Sequence, residues 1–396
     1  MPRYIGDKMK KNILIALLLV MLLTACSSGA ASTVEETPSL TATEPAPTNT
    51  PEPTLTPTPD YPVEGIGPTD YPANVNPLTG LEVADAATLA ERVVAVKIEN
   101  LPREHRPQWG LSAADLVYEY YTEFGSTRFV ALYHGNAPVK VGPVRSARFF
   151  DIHVVQSYKA VFLFGSAYSA VYSRMWRSDI SPRLVVEGSS TYPALHREEQ
   201  DGENMLFADL TQLPAALTKV GIDNSQQDIS GMFFRKTLDV SGYPATQLTV
   251  RFSSAIYNRW DYDSAAGSYV RSVDQANADS AASETYAVLT DRANGEAISA
   301  DNVVILFVPY QYYVKNATEE VMEVTMLGSG DALIARDGQI FPAFWKREKS
   351  DSMLTLVDAD GNAFPLKPGN TWFEVVGTSS EKVQDGNSWR ITHAIP

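Results

Sequence analysis

The chain has 396 residues, with 32 Lys and Arg against 47 Asp and Glu, and a net charge of −15. That excess of acid argues against bulk nucleic-acid binding, which needs a basic face. An apolar content of 44% suffices for packed cores, and the single cysteine excludes both a disulfide framework and a Cys-rich metal site.

The first element accounts for that cysteine. Lys8, Lys10 and Lys11 precede an unbroken apolar run from Ile13 to Leu23. A basic start followed by a run too short to span a bilayer is the pattern of a secretory signal. The run ends at Leu23-Thr24-Ala25-Cys26, followed by Ser27-Ser28-Gly29, and this junction resembles a bacterial lipobox. The resemblance implies a signal over residues 1–26 and acylation of Cys26, which becomes the mature N-terminus. The partner implied is the lipid bilayer, and the location is the outer face of the cytoplasmic membrane. A short membrane anchor with an incidental cysteine is the alternative.

Residues 27–74 hold 10 of the 25 prolines, seven acids and no Lys or Arg. Such a segment buries too little apolar surface to offset its ordering entropy, so a disordered stalk is expected. Beyond the signal, 28 basic residues face 46 acidic ones, or −18; beyond the stalk, 28 face 39, or −11.

From residue 75 the pattern becomes that of an α+β fold. Residues 92–98 read as a buried strand that ends at the turn-prone Glu99-Asn100-Leu101-Pro102. Residues 114–121 and 127–133 read as strands of an antiparallel hairpin across a short link. A helix over 149–160, a strand over 160–164, and helices around 168–177 and 209–220 follow, the last closing near Gly221. This gives a mixed α/β domain over 75–235. Strands at 247–252, 302–308 and 371–376, with turn chemistry at Asp337-Gly338, Asp360-Gly361-Asn362 and Pro368-Gly369-Asn370, give a β-rich domain over 245–396. Gly328-Ser329-Gly330 reads as a hairpin turn.

Several motifs then combine. Lys97-Ile98-Glu99-Asn100-x-Pro102, Arg106-Pro107-Gln108-x-Gly110-Leu111, Ala114-Asp115-Leu116-Val117-Tyr118-Glu119, Gly125-x-Thr127-Arg128-Phe129 and Gly142-Pro143-Val144-Arg145-Ser146-Ala147-Arg148 resemble the YerB-like lipoproteins of Gram-positive bacteria. Asn302-Val303-Val304, Gly328-x-Gly330 and Pro368-Gly369-x-Thr371-Trp372 extend the resemblance over residues 76–396. It implies a two-part extracytoplasmic protein of unknown function. The chain departs from relatives after the fourth strand, where Phe164-Gly165-Ser166-Ala167 stands in place of a His and a Gly-Gly-Ser turn.

Arg145 and Arg148, three apart at a loop-to-helix junction, can face one way and hold an anion. Arg128, Asn100 and Arg106 complete the candidate ligand-binding set, with His105 and Gln108 in the same polar loop. The alternative is internal pairing of the arginines with Glu119, Glu123 or Asp115. The loop is also similar in architecture to that of the LytR-CpsA-Psr wall-polymer transferases, where arginines hold a polyprenyl pyrophosphate. Asp151 and Glu119 are the candidate catalytic carboxylates, Glu119 as one of a pair with Glu123 if residues 119–123 stay extended. The five scattered histidines give no metal pattern, and no motif calls for a cofactor. The reading is a binding module for an anionic wall polymer, a lipid-linked phosphate or an envelope protein. An enzyme acting on wall glycan or polyprenyl phosphate is the alternative.

Overall fold

The computed structural model describes residues 61–395. Cys26, its signal and the first part of the expected stalk lie outside them. Among the described residues strands dominate, and the three α-helices have only eight or nine residues each. The expectation of a mixed α/β first half therefore overstates its helix content. The expected helix 149–160 stops at Ser157, and Lys159 turns the chain with a φ of 51° into the next strand.

The first half supplies β1 (Val94–Glu99), β2 (Leu116–Tyr121), β3 (Thr127–Tyr133), α1 (Phe149–Ser157), β4 (Val161–Phe164), α2 (Ser169–Arg177), β5 (Leu184–Val186), β6 (Leu195–Gln200), β7 (Glu203–Ala208) and α3 (Leu213–Val220). β2 and β3 pair antiparallel in the expected hairpin, with Tyr121 opposite Thr127. The chain leaves β2 after Tyr121 and turns through Phe124 (φ 47°) and Gly125 (φ 80°), so residues 119–123 are not one extended stretch. α3 ends where Gly221 adopts the left-handed conformation and its N–H caps the carbonyls of Leu217 and Thr218.

The main sheet runs through both halves of the chain. Its order is Thr355–Val357, Gln339–Arg347, Gly328–Arg336, Asn302–Val308, Thr371–Gly377, then β2, β3, β1, β4 and β5. At the seam β2 runs parallel to Thr371–Gly377, in a register that sets Glu119 beside Glu374. Both strands are buried along their whole length, as parallel strands covered on both faces are. A second sheet contains Gln247–Arg251, Tyr257–Asp263, Ser268–Asp274 and Ser388–Thr392.

Two local readings are corrected. Gly328-Ser329-Gly330 opens a nine-residue strand paired to Arg347, Lys346 and Trp345, and is not a turn. Glycine is needed at 330 because a Cβ there would stand 2.7 Å from the Trp345 indole nitrogen. Residues 61–74 belong to the fold: Ile66 bridges Phe234 and is buried, and Tyr71 donates to the Met232 carbonyl.

Candidate functional site

β1 has two different neighbours on its β4 side. Val94–Val96 pair with β4, but beyond them the loop after Gly142 takes over, with Arg145 N–H donating to Lys97 O at 2.9 Å and Glu99 N–H to Pro143 O at 3.0 Å. The arginine loop is thereby fixed at the carboxyl ends of the parallel strands β1 and β4, where open sheets containing such strands place ligands. Gly165 and Ser166 leave β4 beside it, Gly165 N–H donating to Arg145 O at 3.0 Å and Ala147 N–H to Ser166 O at 2.7 Å. The β6–β7 hairpin closes the third side through Val144 N–H to Leu206 O at 2.7 Å. Between these walls lies a polar cleft of about 240 Å³, lined among others by Glu99, Arg145, Ser146, Ser166, Arg197 and Glu203.

Arg145 reaches Glu99, its Nε donating to Oε1 at 2.6 Å, yet 43% of its side chain stays exposed. The other Glu99 oxygen is 3.0 Å from His105 Nδ1. Arg148 and Arg128 both hold Glu123, Arg148 Nε at 2.7 Å and Arg128 Nη2 at 2.8 Å. Burial works to raise the Glu123 carboxyl, but the two arginines outweigh it and hold it below its ordinary range. Arg128 is pushed down to about 10 by its own burial and by the neighbouring Arg148 charge. Three guanidiniums thus share Glu99 and Glu123, with two of them on Glu123.

Beneath this layer Asp151 is sealed. Its Oδ1 accepts from Lys97 Nζ at 2.9 Å and from Tyr120, and its Oδ2 accepts from the Arg148 N–H at 2.6 Å, capping α1. Desolvation drives the Lys97 amine down to about 7, with Asp151 opposing it.

The remaining expected residues are brought to another place. Glu119 has no exposed surface; its oxygens accept from Asn100 at 3.1 Å, Thr127 at 2.7 Å, Asn258 at 3.3 Å and Arg271. Arg106 is turned toward the second half, where its Nη1 donates to Asp274 Oδ2 at 3.0 Å, and its Nε donates to Asn100 O at 2.8 Å. Asp151 and Glu119 are therefore both wrapped in donors and out of reach of a substrate. Arg145, Arg148 and Arg128 come together; Asn100, Arg106 and Glu119 lie inside the joint between the two halves.

Sequence reasoning missed Glu99, Glu203 and Arg271. Glu99 is the last residue of a buried strand, and that is its only local signal. Arg271 had a stronger one, since Tyr269 and Val273, two residues to either side, are core positions on the same face. Among the larger clefts, two of about 360 and 550 Å³ lie at the opposite end of β1 around Asp85 and His134, and one of about 390 Å³ lies around Lys159 and Asp351. The walls of the first two carry Glu82, Asp85 and Glu91, and the Arg92 there is tied to Asp223 at 3.0 Å.

The N-terminal domain model of a family of unknown function, DUF3048, matches residues 78–223, and its C-terminal domain model matches residues 248–373. The chain belongs to this family. Among DUF3048 relatives, YerB of Bacillus subtilis strain 168, by its name a candidate lipoprotein, is 26% identical over 323 residues, spanning 76% of this chain and 85% of YerB. The crystal structure of Bacillus subtilis YerB shares the fold, with a TM-score of 0.63 at 22% identity over 76% of this chain and 96% of that one. The arginine loop, β1 and the β2–β3 hairpin all fall within the first matched segment.

Proposed function

We propose that this DUF3048 protein is a lipid-anchored extracytoplasmic module, tethered through Cys26 and a proline-rich stalk, whose Arg145 cleft binds an anionic group. The natural candidates are a phosphate of a wall polymer or of a lipid-linked precursor. The lipobox-like sequence and the likeness to YerB support the anchor. Acyl chains contribute roughly 0.8 kcal/mol per buried CH₂, and two chains hold a protein stably at a bilayer.

One observation carries the binding reading. Arg145 is half-exposed in a polar cleft, beside Arg148 and Arg128, on a folded region that is otherwise acidic. Guanidinium recognises phosphate with charge-assisted, bidentate hydrogen bonds, which a desolvated concave wall strengthens. Calorimetric titration of the purified full chain in detergent with inorganic pyrophosphate tests it. Binding is expected in the native chain, lost in Arg145→Ala and partly restored in Arg145→Lys. Unchanged binding in Arg145→Ala would refute the site. Labelled palmitate incorporated by the native chain and absent from Cys26→Ser tests the anchor.

A further inference from the structure

The cleft is not lined by positive charge alone. Glu203 opens β7 on the same wall, its side chain 62% exposed. Its nearest charged or titrating partner is His105, with Nε2 at 3.4 Å. The other ring nitrogen of His105 faces Glu99 at 3.0 Å. An ionised carboxylate can only accept, and water completes the shell of the exposed Glu203. The cations around the hairpin are committed elsewhere. Arg197 grips Glu187 with both Nε and Nη2, at 2.8 and 2.9 Å, Arg292 holds Asp201 at 2.6 Å, and Lys140 holds Glu198. One cleft therefore combines a half-exposed guanidinium with an exposed carboxylate that, among the described residues, no lysine or arginine reaches within 4 Å.

We infer that the ligand is zwitterionic, an aminoalkyl phosphate whose anion lies on Arg145 and whose primary ammonium lies on Glu203; this rests on the anion reading above. An ammonium is the complement such a carboxylate selects, because it brings a full charge and three donors where a hydroxyl brings one neutral donor. The Arg145–Glu99–His105–Glu203 chain fixes the two ends, so the cleft distinguishes ligands by the spacing between phosphate and amine. The same chemistry occurs in a lipid headgroup and in a free or polymer-borne amino phosphate.

Titration of the full chain at low salt with glycerol 3-phosphate, ethanolamine phosphate and 3-aminopropyl phosphate provides the test. At least one amine should bind about three- to fivefold more tightly than glycerol 3-phosphate, the range set by a partly exposed charge pair. Glu203→Gln should bring that ratio to one, and the exposed position of Glu203 on the hairpin makes loss of folding no concern. Equal binding of all three by the native chain, or a preference that survives Glu203→Gln, would overturn the inference. Glycerol 3-phosphate binding that persists in Arg145→Ala would instead overturn the anion reading beneath it. Glycerophosphoethanolamine compared with its short-chain dihexanoyl ester separates the sources. Tighter binding of the ester identifies a lipid headgroup, and equal binding identifies a soluble or polymer-borne group, each in support of the shared chemistry.

Discussion

Two clusters of arginine and glutamate occupy this molecule, and solvent treats them differently. At the seam, Arg271 lies between Glu119 and Glu374, and none of the three has any exposed side-chain surface. At the rim, Arg145 on Glu99, with Arg148 and Arg128 on Glu123, keeps part of its charge in water. The same two residue types thus do two jobs. The sealed cluster ties β2 of the first half to Thr371–Gly377 and Ser268–Asp274 of the second, and the rim cluster presents charge to a cleft. Burial decides between them, because an unpaired charge costs far more inside than at the surface.

The largest effect should therefore come from the seam. Arg271 stands 4.3 Å over the Trp372 ring and satisfies both glutamates, Nη1 donating to Glu374 Oε1 at 2.9 Å. Arg271→Met keeps the volume and leaves two adjacent carboxylates without their cation. A loss of about 3–5 kcal/mol in urea unfolding is expected. Adding Glu374→Gln should recover part of it, since the pair then carries one charge. A loss no larger than that of a rim variant would erase the distinction.

The seam also has a pH signature. Burial, reinforced by the Glu119 charge beside it, pushes the Glu374 carboxyl from 4.5 up to about 7. A raised carboxyl binds more protons in the folded state, so its stabilisation is complete below pH 4.5 and is lost as pH rises through 7. Burial lowers His134 and His153 to about 4 and His393 to about 3, so these three work the other way up to pH 6.5, and the Glu374 contribution is read as the difference between the native chain and a variant that lacks it. Asp115, raised to about 7 by burial, works in the same direction as Glu374, whereas Lys97, lowered to about 7, acts only above that window. Glu374→Gln keeps an oxygen for Trp260 and Arg271 and removes the titration, so its midpoints should gain on those of the native chain as pH rises from 4.5 to 7. Parallel slopes would show that Glu374 does not carry the effect.

The elements of the first half were legible because each rests on local chemistry. The β2–β3 hairpin follows from two apolar runs and a short link, and α3 ends at the glycine that its closure requires. Of the partners of the charges, Glu123 was legible as one of three candidates for the arginines, and Glu99 and the glutamates that hold Arg271 were not. Arg145 meets a glutamate 46 positions earlier and Arg271 one 152 positions earlier, distances over which no local pattern speaks. Arg145 and Arg148 were readable as a pair on a loop, but that each arginine would reach a different glutamate depends on where β1 and the hairpin turn end. The docking of residues 61–74 was masked by proline, because Ile66 and Tyr71 are lone anchors in a segment whose composition otherwise argues for a stalk.

The smallest effect on stability should come from the rim, and its smallness is what makes it informative. Arg145→Ala removes a charge-assisted bond from Glu99, yet Glu99 retains His105 at 3.0 Å, and water reaches the space that the guanidinium leaves. A cost of about 1–2 kcal/mol is expected, above that of a fully exposed pair because Glu99 is buried, and below that at the seam. Arg148→Ala should cost somewhat more, since that side chain is 14% exposed and also donates to the carbonyls of Ser146 and Ala147, at 3.2 and 2.9 Å. Phosphate affinity should rank the two variants in the opposite order, because Arg145 faces the cleft and Arg148 faces Glu123. If binding instead tracks stability across both variants, the arginines act only through the fold, and the rim cluster becomes a weaker copy of the seam.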